Sequence, residues 1–117
     1  MQYRLNMALP EPDVARIEKF YEKLVPAELW NQMRFEHTVR GNSVTLFECR
    51  PPWPGDAGTE WARIPLAQLR YDPTSQHWTL YWPDRNSRWH LFELIKPGTV
   101  QKLLNEIERD RTNIFWG

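Results

Sequence analysis

Within TLYWPDRNSRWHLF, residues 79–92, a phenol (Tyr81), a guanidinium (Arg88), an imidazole (His90) and a phenyl ring (Phe92) stand close together. On one surface, such a set could hold an anion through the arginine and stack a flat group on the rings. Whether they share a surface depends on alternation, because neighbouring side chains in a strand point to opposite faces. An even loop at PDRNS, either Arg85-Asn86 or Asn86-Ser87, predicts Thr79, Tyr81, Arg88, His90 and Phe92 on one face. Trp78, Leu80, Trp82, Trp89 and Leu91 then form the other, which reads as the core side. A three-residue loop with a bulge would break this parity. The plainer reading of the polar face is a partly solvated surface with ordinary cross-strand pairs.

Other chemistry is sparse. Asp84, Glu93 and His90 are of the types that hydrolases use, and Asp84, Glu93 and Lys96 are of the types that hold Mg²⁺ and position water in nucleases. Their spacing matches no recognised set, and Asp in a turn commonly caps its own backbone. The potential metal ligands His37, Cys49, His77 and His90 show neither C-x-x-C nor H-x-x-x-H spacing. No metal and no cofactor are expected. Cys49 has no nucleophile elbow around it and reads as a small buried hydrophobe. PGDAG lacks the Lys and the strand–loop–helix setting of a phosphate cradle.

Composition narrows the partners. The charge count is 15 Lys and Arg against 15 Asp and Glu, so broad attraction to nucleic acid or anionic lipid is not implied. Every basic residue between positions 34 and 90 is Arg, which leaves room for a local basic face. Arg63, Arg70, Arg85 and Arg88, interleaved with Trp61, Tyr71, Tyr81 and Trp89, have the composition of a stacking platform for single strands. Trp89 on the core face and the neutral total both argue against it. The single cysteine cannot pair within the chain and suits a reducing compartment such as the cytoplasm. No apolar run is long enough for a membrane span, and the first residues do not read as a signal peptide.

The elements that would position these groups follow from periodicity. The 117 residues are read as one domain, 1–117, of α+β class. Residues 1–9 form a strand or a loose arm. Asp13 caps a helix over 13–24 whose apolar side is Val14, Ile17, Phe20, Tyr21 and Leu24. After Pro26, PAELWNQM predicts a second short helix with Leu29, Trp30 and Met33 turned inward. An antiparallel meander of about five strands follows. Gly41-Asn42 sets a two-residue hairpin with Val39 facing Val44, His37 facing Leu46 and Phe35 facing Glu48. Glu36, Thr38, Thr45, Phe47 and Cys49 take the opposite face. PPWPGDAGT is a loop pinned by Trp53. EWARIPLAQLRY is a third strand that Pro65 places at an edge or a bulge. Two more strands flank PDRNS. Thr99 caps a last helix near 99–110 with a stripe of Val100, Leu103, Leu104 and Ile107, and IFWG docks back on the core. The N-terminal helix pair and the C-terminal helix are expected to cover one sheet face.

RIEKFYEKLVP, RGNSVTLFECRPPW, EWARIPLAQLRYD, WTLYWPDRNSRWH and the closing FWG together resemble an uncharacterised bacterial family of unknown function and about this length. The resemblance implies an intracellular bacterial protein and carries over no functional residue. The leading expectation is therefore a small non-enzymatic binding or interaction domain. Its site would be the open face with Tyr81, Arg88, His90 and Phe92, taking a ligand, a protein partner or a second copy of the chain. Single-stranded nucleic-acid binding through Arg63, Arg70 and Arg85 ranks second. A hydrolase built on Asp84, Glu93 and His90 ranks third.

Overall fold

The computed structural model describes residues 9–52 and 60–116. The expected N-terminal arm falls almost wholly outside that range, as do the PPWPGDAGT loop from Trp53 onward and Gly117. The elements run α1 (Glu11–Leu24), a 3-10 turn (Ala27–Leu29), β1 (Arg34–Arg40), β2 (Ser43–Arg50), β3 (Ala62–Asp72), β4 (His77–Pro83), β5 (Trp89–Leu91) and α2 (Val100–Arg109). The five strands form one antiparallel sheet in sequence order. Three of the four connections are short, and each strand lies beside its predecessor.

The N-terminus holds one α-helix, not a pair. The segment after Pro26 makes only a three-residue 3-10 turn. Leu29 and Trp30 are 41% and 54% exposed, with the Trp30 indole donating to the Val25 carbonyl, so neither turns inward. The expected cap at Asp13 is also displaced. Pro10 is the N-cap and Glu11 begins the helix, with Pro12 in the first turn, where the N–H that Pro lacks would be unpaired anyway. This frees the Asp13 carboxylate to accept the buried Trp78 indole N–H at 2.7 Å. An indole buried in a core needs such a partner.

The first hairpin has the expected register, with Val39 opposite Val44, His37 opposite Leu46 and Phe35 opposite Glu48. Gly41 at φ +59° supplies the left-handed backbone that this turn requires. β3 is central rather than an edge. Its ladder with β2 shifts between Leu46/Ala67 and Phe47/Pro65, so Leu66 is an extra, bulged residue beside the proline that cannot donate.

Ile17 and Phe20 of α1, Leu103, Leu104 and Ile107 of α2, and Val44, Leu46, Leu69, Trp78 and Leu80 of the sheet form one buried cluster. Both helices therefore lie on the same sheet face. Thr99 caps α2 by accepting the Lys102 N–H. Asp110 ends it in the left-handed region, and its carboxylate accepts the Phe115 and Trp116 N–H groups at 2.9 and 2.8 Å. The tail is thereby folded back, as expected. Phe115 packs on Phe92 and Trp116 packs edge-on against Phe35.

Candidate functional site

The last hairpin decides which side chains share a surface. Pro83 pairs with Trp89, Trp82 with His90 and Tyr81 with Leu91. Asp84 N–H donates to the Arg88 carbonyl at 2.9 Å, leaving Arg85, Asn86 and Ser87 as an odd, three-residue loop. Ser87 takes φ +62°, the left-handed step that such loops need. Parity is thus opposite to the even-loop expectation. Phe92 is 3% exposed in the core and Leu91 is 47% exposed on the outside. Trp89 belongs to the bare face, while His90 falls on the same side as Trp82.

Of the four expected ligand-binding residues, only Tyr81 is aligned with the open face. Phe92 is core. Arg88 is exposed at the end of the loop. His90 stacks on Trp82 at 4.7 Å between centroids, and its Nε2 donates to Asp84 Oδ2 at 2.8 Å. The other Asp84 oxygen accepts the Asn86 and Arg88 N–H groups. Those bonds, the His90 bond foremost, hold the Asp84 carboxyl at about 2, below its ordinary 3.8. Asp84 and His90 do meet, as the hydrolase reading needs. Glu93 sits exposed in the turn after β5, and no Ser, Thr or Cys hydrogen-bonds to His90 among the described residues. The pair locks a turn.

The bare face follows by register: Arg34, Glu36, Thr38 and Arg40 from β1 lie opposite Cys49, Phe47, Thr45 and Ser43 from β2. Arg63, Gln68 and Arg70 from β3 continue those rows, then Tyr81 from β4 and Leu91 from β5. Three arginines lie over aromatic rings here. Arg34 is 3.8 Å from the centre of Trp61, Arg63 is 4.2 Å from Phe47 and Arg70 is 3.7 Å from Tyr81. Each pairing contributes roughly 0.5–1 kcal/mol at exposed sites and fixes the guanidinium plane. Gln68 links the rows, donating to Thr45 Oγ1 and accepting from Arg70 Nε. Glu36 meets Arg63 at 3.4 Å, an exposed pair of little strength. Cys49 is fully buried among these groups, and burial pushes its thiol up, with Glu36 adding to the effect.

Four arginines (Arg34, Arg40, Arg63, Arg70) thus stand against two carboxylates (Glu36, Asp72) on this face. Arg63 and Arg70, the nucleic-acid candidates within strands, are both here with Trp61, Tyr81 and Trp89. Arg85 is exposed in the loop, and Tyr71 lies on the helix side against Trp78. Arg34 and Phe47 lie on this face as well and are not among the expected site residues. Phe47 had been given the correct face, and extending that alternation back to Arg34 would have found the arginine. The continuation to Arg63 was hidden by the bulge at Leu66.

Three described cavities lie against the helices. Their volumes are about 220 Å³ (Tyr21, Val25, Trp30, Arg34, Phe35), 210 Å³ (Arg16, Lys19, Phe20) and 450 Å³ (Thr99, Lys102, Glu106, Arg111). In the third, buried Glu106 is paired with Arg111 at 3.0 Å. In the first, burial foremost raises the Tyr21 phenol, which sits 3.0 Å from His37 Nδ1. Among the described residues no three His, Cys, Asp or Glu side chains cluster as metal ligands.

The family model of a domain of unknown function, DUF3024, matches residues 8–117. No curated protein and no solved structure matches the chain. The chain belongs to the DUF3024 family.

Proposed function

We propose that this member of a family of unknown function is a binding module whose sheet face opposite α1 and α2 takes an extended anionic partner. The observation that carries the reading is the set of three arginines laid on Trp61, Phe47 and Tyr81. A guanidinium stacked on a ring still presents its N–H edges outward, already oriented for a bidentate contact to an oxyanion. Preorientation removes part of the ordering cost of binding. The arginines are spread along the sheet rather than gathered in a cleft, which suits a long partner better than a small one.

The site therefore shifts from the first expectation. Tyr81 stays, Arg34, Arg63 and Arg70 join it, and Arg88 is left exposed at the end of the loop. His90 and Phe92 support the hairpin from the other side. We place the module in the cytoplasm, on the strength of one buried, unpaired thiol. Among the described residues no helix is long and apolar enough to cross a membrane.

Retention on immobilised heparin, a general polyanion, tests the reading. The unmodified protein should bind at low salt, and the Arg63→Glu/Arg70→Glu variant should elute much earlier. Lys19→Glu/Lys23→Glu, an equal charge change on exposed positions of α1, should elute close to the unmodified protein. Equal shifts for both variants would mean that bulk charge alone is being read, and the proposal would fall. A folded protein that passes straight through would have the same effect.

A further inference from the structure

We infer that the partner of this face is a single-stranded nucleic acid. This rests on the reading above and narrows it. Charge and ring alternate over this face. From Arg34/Trp61 through Arg63/Phe47 to Arg70/Tyr81, cations and aromatic groups recur along the same surface. Trp89, half-buried at the β5 edge, belongs to that surface and to none of the three pairs. A polyanion without bases would use the ring-held arginines and leave Trp89 idle. A single strand supplies phosphates and unstacked bases together, which is what aromatic platforms on sheets bind.

The shape of the face suits the same partner. Among the described residues no helix lies on this face, and the described cavities lie against α1 and α2, the one at Tyr21 and Trp30 reaching the sheet edge at Arg34. Rows of outward side chains on a strand repeat about every 6.6 Å, so the rows from Arg34 to Arg40 span roughly 20 Å. That length fits about four nucleotides, the lower end of the range for single-strand modules. A duplex fits less well, because its bases are already stacked on one another and offer no ring face.

The charge of the face suits that partner too. The chain is neutral overall, yet this face carries an excess of two positive charges by register. The Glu36–Arg63 contact is exposed on both sides and can yield to a phosphate. Gln68, Thr45 and Thr38 add amide and hydroxyl groups between the cations, suited to base edges and sugar hydroxyls.

Fluorescence anisotropy with a labelled mixed-sequence 12-nucleotide strand tests the inference. The same strand as a duplex and unlabelled heparin serve as competitors, and every variant is checked for an unchanged melting profile. The single strand should bind at least ten-fold more tightly than the duplex. Its log K should fall with log salt at a slope of about −2, as expected for three phosphate contacts at about −0.7 each. Arg70→Gln should lower that slope by about 0.7. Trp89→Leu should weaken the strand five-fold or more while leaving heparin binding unchanged. If duplex or heparin competes as well as the strand, or Trp89→Leu has no effect, the nucleic-acid inference is overturned and the polyanion-binding reading stands. If the folded protein binds none of the three at low salt, both are overturned.

Discussion

Asp84 uses one carboxylate to close a whole turn, with one oxygen on two backbone N–H groups and the other on His90. A titration of this group should show it. Its midpoint should lie at about 2, and His90→Phe, which keeps a ring over Trp82 but removes the donor, should move it up toward 3.8. The folded value lies below the unfolded one. The pair's contribution to hairpin stability is therefore complete above about 3.8 and is lost as pH falls through about 2. Carboxyl chemical shifts against pH measure both; a midpoint unchanged by His90→Phe would remove His90 from the account. At this scale the sequence was informative about type and poor about partner. Asp84 as a turn cap was legible because Asp in a turn bonds its own backbone. Its pairing with His90 depends on how the next strand returns, and no local property reports that. Asp13 is the same case: a plausible cap locally, it is drawn instead to an indole sixty-five positions away.

Two hairpins of similar composition differ in how readable they are. Gly41-Asn42 admits one tight turn, so register and faces followed from the chain. PDRNS admits even and odd loops, and the odd one is present. The choice is settled outside the hairpin: Phe92 enters the core, where Phe115 of the returning tail packs on it. Deleting Ser87 should expose the consequence. An even loop would turn Phe92 outward or force the register to slip, and should cost about 3–5 kcal/mol, comparable to removing a buried Phe. Ser87→Gly keeps the loop length, relieves a left-handed serine and should match or exceed the original stability by up to about 1 kcal/mol. Urea denaturation compares them; a deletion costing under about 1 kcal/mol would mean that loop length does not set the faces. β3 teaches the same lesson. Pro65 announced a bulge, but only the β2 ladder shows that Leu66 is the extra residue, which flips the parity between Arg63 and Arg70. The second short helix failed for want of length. A single turn after Pro26 has too few internal bonds to hold against an exposed Trp30.

For the molecule as a whole, the class and strand order were legible because helical and strand periods are local and the described connections are short. The location of charge was not. Composition averages over faces, so a neutral total concealed arginines gathered on the sheet side and lysines spread along α1. The assignment of Trp89 to the core weighed against nucleic acid, and reversing it brings Trp61, Tyr81 and Trp89 onto the arginine side. The central claim is that this side meets the partner and the helix side does not. The indole N–H resonances of the tryptophans report both sides in one spectrum. On addition of the 12-nucleotide strand, the Trp61 and Trp89 signals should shift, while those of Trp78, held by Asp13, and Trp116, held by the Ile107 carbonyl, stay in place. Shifts at Trp30 and Trp116 with Trp61 and Trp89 unmoved would put the partner on the helices and contradict the account.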